Sequence, residues 1–212
     1  MGAAGSGRIA DSRSIRGIIF DLDGVLVDTS HVWFAVQNDV ARELGHPLID
    51  EESFRATFGQ GTAADVAAFF PGSASRRVDE LYHERFLARL GDVAPLGEAK
   101  AALADLGRSG ILRAVATNTR RDLALALLDR SGLSDGVDLV ASASEVAAAK
   151  PAPDVVLLAA QRLALPKVSL LFVGDAIYDA EAARGAGIRF VGFRRDGDDR
   201  IESLEELTGL LD

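Results

Sequence analysis

Ile18-Ile19-Phe20-Asp21-Leu22-Asp23-Gly24-Val25-Leu26-Val27-Asp28-Thr29 is the densest signal in this 212-residue chain. Ile18 to Phe20 is a short apolar run of the kind that forms a buried strand, and two carboxylates follow where it ends. Alternate side chains of a strand share a face, so Asp21 and Asp23 project together if the extension persists. Two carboxylates held that close repel unless a cation or a proton intervenes. Gly24 lets the backbone turn where a side chain would obstruct it. Asp and Gly also suit an ordinary surface turn, but the strand before these acids reads as buried.

The composition is that of an ordinary globular protein, with 48% hydrophobic and 26% charged residues. The length fits one large domain or one domain with an insert, and a chain of this size buries roughly 70% of its unfolded surface. With no cysteine there is no disulfide, thiolate metal site or cysteine nucleophile. A net charge of −9 argues against a general nucleic-acid or anionic-membrane binder. It leaves a phosphorylated small molecule open as partner, because a bound cation can reverse the local field. Only Lys100, Lys150 and Lys167 among the basic residues are lysine, so a lysine inside a motif carries more information here. No apolar run is long enough to span a membrane. Residues 1–14 read as a flexible leader without a signal-peptide segment, although Met1 to Ser6 also matches a myristoylation pattern. A cytoplasmic location is expected, and the sequence does not distinguish a monomer from a homodimer.

Past the opening strand, Asp28, Thr29 or Ser30 is placed to cap a helix running to about Leu44, with Trp33, Val36, Val40 and Leu44 on one stripe. Further helices are expected over 51–58, 62–70 and 74–90, so residues 30–92 read as all-helical. From Pro95 onward helices alternate with apolar strands at 112–116, 139–141, 170–173 and 189–193, before a terminal helix over 204–211. Such alternation implies an α/β fold, a parallel sheet covered on both faces. The first strand belongs to that sheet. Residues 15–29 and 93–212 then form one core domain, and 30–92 is a helical insertion beside the acids, suggesting a lid.

Ligands of open parallel sheets bind beyond the carboxyl ends of the strands. Asp21 and Asp23 follow the first strand, Thr117 and Asn118 the second, Lys150 the third, and Asp175 and Asp179 the fourth. Taken singly, Thr117, Asn118 or Asp175 suits a helix cap, Lys150 a solvated loop, and Asp179 a pair with Arg184 or Arg194. One chemically useful group at each strand end is not explained that way.

These stretches resemble the motifs of the haloacid-dehalogenase superfamily, a family of magnesium-dependent phosphohydrolases. Phe20 to Thr29 is similar to the first motif, Thr117-Asn118 to the second, Lys150-Pro151-Ala152-Pro153-Asp154 to the third, and Gly174 to Asp179 to the fourth. The likeness runs from about Arg16 to Phe193 and implies a Rossmann-like core. The insert has the position and size of the helical cap of phosphoglycolate-phosphatase-like and β-phosphoglucomutase-like members. Ala149 stands where relatives often carry glycine before the lysine.

The resemblance implies that Asp21 is the nucleophile, forming an aspartyl-phosphate, and that Asp23 is the general acid and base. Mg2+ would be held by the Asp21 and Asp175 side chains with the Asp23 backbone carbonyl. Lys150, Thr117 and Asn118 would bind the phosphoryl group, with Asp179 supporting Lys150 or the metal. Dehalogenase members lack an acid at the Asp23 position, which favours phosphoryl chemistry. The Gly59-Gln60-Gly61-Thr62 loop matches the family's specificity loop in position, so Gln60 and Thr62 are candidates for substrate contact, with an ordinary interhelical loop capped by Thr62 as the alternative. Trp33 reads as core of the helical insert more than as a substrate platform. The expected activity is hydrolysis of a small phosphate monoester. A β-phosphoglucomutase-like mutase is the alternative, although such relatives carry an arginine in that loop. A phosphorylation-dependent signalling module, which lacks this acid spacing and the lid, is a distant one.

Overall fold

The structure, a computed structural model, describes residues 14–211. The expected leader, apart from Ser14, and the myristoylation pattern within it lie outside the described residues. In chain order the elements are β1 (Gly17–Phe20), β2 (Val27–Asp28), α1 (Ser30–Leu44), α2 (Glu51–Thr57), α3 (Thr62–Phe69), α4 (Ser75–Leu87) and β3 (Ala94–Pro95). There follow α5 (Ala99–Arg108), β4 (Leu112–Thr117), α6 (Arg121–Arg130), β5 (Leu139–Ser142), α7 (Asp154–Leu163), β6 (Leu170–Gly174), α8 (Ile177–Ala186), β7 (Arg189–Phe193) and β8 (Asp199–Ile201).

Six strands form one parallel sheet in the order β5-β4-β1-β6-β7-β8. β1 is central, and the chain fills one side of it with β4 and β5 before crossing to β6 on the other. Strand order therefore reverses beside β1, the place where open α/β sheets leave a crevice. Register carries the motifs to that crevice. Phe20 lies opposite Val115 of β4 and Val173 of β6, so Asp21, Thr117 and Asp175 follow within two residues of neighbouring positions.

Alternation along the strands divides the core between the two faces. Ile18, Phe20, Val115, Leu171 and Val173 face one way, packing with residues of α5, α6 and the inserted helices; Ile19, Ala114, Ala116 and Phe172 face α7 and α8. Burying one Ile or Phe side chain contributes about 1.5–3 kcal/mol, and the whole of β1 is buried. Among the described residues no helix is long and apolar enough to cross a membrane.

Four α-helices and a short 3₁₀ helix (Leu90–Asp92), and no strand of the sheet, separate β2 from β3. Their apolar residues, among them Val36, Val40, Phe70, Leu81 and Phe86, are continuous with the first face of the core. The buried stripe of α1 runs through Val32, Val36 and Val40 rather than through Trp33, which is only half-buried. The expected terminal helix is a 3₁₀ helix over Leu204–Leu210, started by a reciprocal cap between Ser203 and Glu206. Three short strands were not expected. β8 is polar except for the buried Ile201. β2 and β3 pair antiparallel, Val27 with Pro95 and Asp28 with Ala94, where the chain enters and leaves the helical segment.

Candidate active site

Three of the strand ends deliver their groups to one cavity of about 70 Å³, walled by Asp21, Asp23, Thr117 and Lys150 on one side and by residues of the helical segment on the other; the fourth brings Asp175 and Asp179 beside Asp21. Lys150 Nζ lies 2.7 Å from both Asp21 Oδ1 and Asp179 Oδ1. The Asp179 contact is a well-aligned hydrogen bond; the Asp21 contact is a close ion pair at a poorer angle. Asp179 is fully buried, and its second oxygen accepts from the Ala176 N–H at 2.9 Å. It thus pairs with Lys150 rather than with Arg184 or Arg194. Gly174 makes room for it: a Cβ there would sit 2.4 Å from the Asp179 Cβ.

Carboxylate oxygens of Asp21, Asp175 and Asp179 lie within 4.8 Å of one another. Against one ammonium, three carboxylates leave two formal negative charges in excess. Burial pushes the Asp21 carboxyl well above its ordinary value, with Lys150 opposing and Asp179, Asp175 and Asp23 adding to the rise. Burial, then the charge of Asp179, pushes Asp175 up to about 7. Burial works against the Lys150 ammonium, but Asp179 and Asp21 override it and raise its pKa. Excess negative charge and a cluster of carboxylate oxygens within 4.8 Å of one another together fit a hard divalent cation. Gly24, at φ +82°, brings the two strand ends together, since a Cβ on it would lie 2.2 Å from Asp175 Oδ2.

The Asp23 side chain faces a different set of partners. Its Oδ1 accepts from Thr29 Oγ1 at 2.6 Å and from Trp33 Nε1 at 3.0 Å, and its Oδ2 accepts from Thr119 Oγ1 at 2.7 Å. Thr29 precedes α1 as expected of a cap, yet it makes no side-chain cap bond, and its hydroxyl donates to Asp23. Trp33 combines two roles: its ring packs on Tyr82 and Phe86, while its N–H reaches the acid. Trp33 and Thr119 on Asp23 escaped the sequence reading. A signal existed, since Thr29, Trp33 and Gln37 recur at helical spacing on one face, and Thr119 stands two residues beyond Thr117.

Thr117, 1% exposed, accepts from the Thr119 N–H at 3.0 Å and keeps its own hydroxyl proton for a ligand. The Asn118 side chain is fully occupied. Its Nδ2 donates to Gly59 O at 2.9 Å and Lys150 O at 3.0 Å, while its Oδ1 accepts from Lys150 N at 2.8 Å. The Asn118 side chain therefore has no N–H left for a ligand. In the 59–62 loop, Thr62 lines the cavity and Gln60 does not. Gln60 Nε2 donates to Asp65 Oδ1 at 2.7 Å, and Thr62 Oγ1 donates to Asp79 Oδ1 at 3.2 Å. Gly61, not Thr62, occupies the position before α3. Asp65, unnoticed in the sequence, is buried among three donors.

Comparison with known proteins agrees with this arrangement. The family model for haloacid dehalogenase-like hydrolases matches residues 18–193. N-acetylmuramic acid 6-phosphate phosphatase of Pseudomonas putida is 32% identical over 187 residues, covering 85% of this chain and 83% of that protein. A plasmid-borne phosphoglycolate phosphatase of Cupriavidus necator is 29% identical over 214 residues, covering 92% of each. Among solved structures, CbbY from Rhodobacter sphaeroides in complex with phosphate superposes with a TM-score of 0.80 at 26% identity, covering 91% of this chain and 96% of that one. The chain belongs to the haloacid dehalogenase-like hydrolases and is an enzyme of that family, in a branch whose named members include phosphatases.

Proposed function

We propose that this enzyme is a magnesium-dependent phosphohydrolase of the phosphoglycolate-phosphatase-like kind, cleaving a small-molecule phosphate monoester through an aspartyl-phosphate on Asp21. The observation that carries the reading is the division of two adjacent acids between unlike surroundings. Asp21 sits in the Lys150–Asp175–Asp179 cluster, whereas Asp23 is held by three neutral donors. Neighbouring carboxylates in different environments take different chemical parts.

Asp21 and Asp175 side chains, with the Asp23 backbone carbonyl, would hold Mg2+, which when bound supplies positive charge against the repulsion between carboxylate and phosphate. An Asp21 carboxylate oxygen attacks phosphorus as the bond to the leaving oxygen breaks, and Asp23 gives that oxygen its proton. Asp23 then takes a proton from the water that cleaves the acyl phosphate, which releases phosphate and restores Asp21. Such acid–base assistance is typically worth about 10²–10⁴-fold. Lys150, oriented by Asp179, faces the charge on the transferring phosphoryl group, and the Thr117 hydroxyl donates to one of its oxygens. Helices α1–α4 act as a cap that excludes water and meets the leaving group.

The test is phosphate release from p-nitrophenyl phosphate, with Mg2+ and with EDTA. Turnover should require the metal, disappear in Asp21→Asn, and slow in Asp23→Asn with phosphate binding retained. Full activity of Asp21→Asn would refute the assignment. Conversion of a hexose 1-phosphate to its 6-phosphate without phosphate release would replace hydrolysis by a mutase reaction.

A further inference from the structure

Resting on the phosphatase reading, we infer that the leaving group is an uncharged, hydroxyl-bearing moiety, a polyol or sugar, and that Gln37 binds one of its hydroxyls. Gln37 projects from α1 into the cavity wall and is 5% exposed. Its Nε2 donates to Asp65 Oδ2 at 3.1 Å, which fixes the amide, and its Oε1 is buried with no partner. His83, on the same wall, has a buried Nδ1 that is likewise unpartnered. An orphaned buried acceptor is costly, and a donor on a ligand removes the cost.

The charged groups of this wall are already matched to one another. Asp65 accepts from Gln37, from Gln60 at 2.7 Å and from the Tyr82 hydroxyl at 3.0 Å. Asp79 accepts from Thr62 and from Arg120 Nη1, each at 3.2 Å. The other two Arg120 nitrogens lie on Asp122, at 3.3 and 3.1 Å. A carboxylate or second phosphate on the leaving group would meet two acids and an arginine whose three nitrogens are engaged. An ammonium would find Asp65 already satisfied by three donors, its carboxyl pushed up to about 6 by burial. The polar atoms of this wall left without a partner are one amide oxygen and one imidazole nitrogen, both buried. A hydroxyl, which both donates and accepts, suits the pair. Charged leaving groups would be desolvated there without compensation.

The experiment compares kcat/KM for phosphate release, with Mg2+, from glycerol 1-phosphate, glucose 6-phosphate, phosphoglycolate, fructose 1,6-bisphosphate and phosphoethanolamine, with p-nitrophenyl phosphate as a reference lacking these groups. A hydroxylated monoester should exceed every ester with a charged leaving group by about tenfold or more. Gln37→Leu should raise KM for that monoester about 3–10-fold more than it raises KM for p-nitrophenyl phosphate. Gln37→Met, which keeps the chain length, serves if the leucine variant fails to fold. Preference for the carboxylate, bisphosphate or amine, or equal losses on p-nitrophenyl phosphate, overturns the inference while the phosphatase stands. No release from any ester, p-nitrophenyl phosphate included, overturns the reading on which it rests.

Discussion

Asp65 allows a test that needs no substrate. The residue is 5% exposed, and burial, offset in part by hydrogen bonds from Gln60 and Tyr82, pushes its carboxyl from 3.8 up to about 6. The native state therefore holds this proton more tightly than the unfolded chain does. Its contribution to stability is complete below pH 3.8 and is lost as pH rises through about 6. The whole displacement is worth roughly 3 kcal/mol, of which about 1.3 kcal/mol falls between pH 5 and pH 7. Asp65→Asn has nothing to ionise, so its stability should lack this component. In urea titrations at several pH values with EDTA, the wild-type midpoint should fall relative to that of the variant by roughly 0.5–1 M between pH 5 and pH 7. Asp21 and Asp175 titrate in both proteins and cancel in the comparison. Parallel midpoints, or a wild type that gains on the variant as pH rises, would show that Asp65 is ionised at little cost and that the argument from its burial is wrong.

Two further substitutions probe the site itself. Gly24→Ala puts a Cβ 2.2 Å from Asp175 Oδ2 at φ +82°, so Asp175 must move; the half-saturating Mg2+ concentration should rise at least about tenfold, and stability should fall by about 1–2 kcal/mol. An unchanged metal titration would separate Asp175 from metal binding. Thr119→Val removes the only donor to Asp23 Oδ2 among the described residues. The expected result is a loss of about tenfold in kcat on p-nitrophenyl phosphate with KM unchanged, and recovery in Thr119→Ser; a loss confined to KM would mean that Thr119 acts on binding instead.

Asp21, Thr117, Lys150 and Asp175 were legible because a parallel sheet converts position in the chain into position in space: whatever follows each strand arrives at one rim. The partners of Asp23 were not. Trp33 looked like one more apolar residue of α1, yet the helix is turned so that Val32, Val36 and Val40 are buried and Trp33 and Gln37 meet the cavity. A shift of one residue, about 100° around a helix, separates core from site. Asp65 sits in the Ala-rich α3, where an isolated acid reads as solvent-facing. It is buried because Gln37 and Tyr82 converge on it from α1 and α4 and Gln60 from the loop just before α3, and the first two contacts leave no local trace. β2 and β3 were missed for a different reason, since two-residue strands containing Asp and Pro carry no period at all.

The β2–β3 ribbon also has a bearing on how such an enzyme diversifies. Val27 faces Pro95 and Asp28 faces Ala94, so the core sees the four inserted helices as a single loop whose ends already touch. Closing a longer or shorter loop between fixed ends changes the cost only logarithmically, by about 0.6 kcal/mol per doubling. The strands that lead to Asp21, Lys150 and Asp175 need not shift when the inserted segment changes length or composition. The ribbon is a socket: apart from Trp33, which reaches Asp23 from α1, what is plugged into it can vary while the strand ends stay in place.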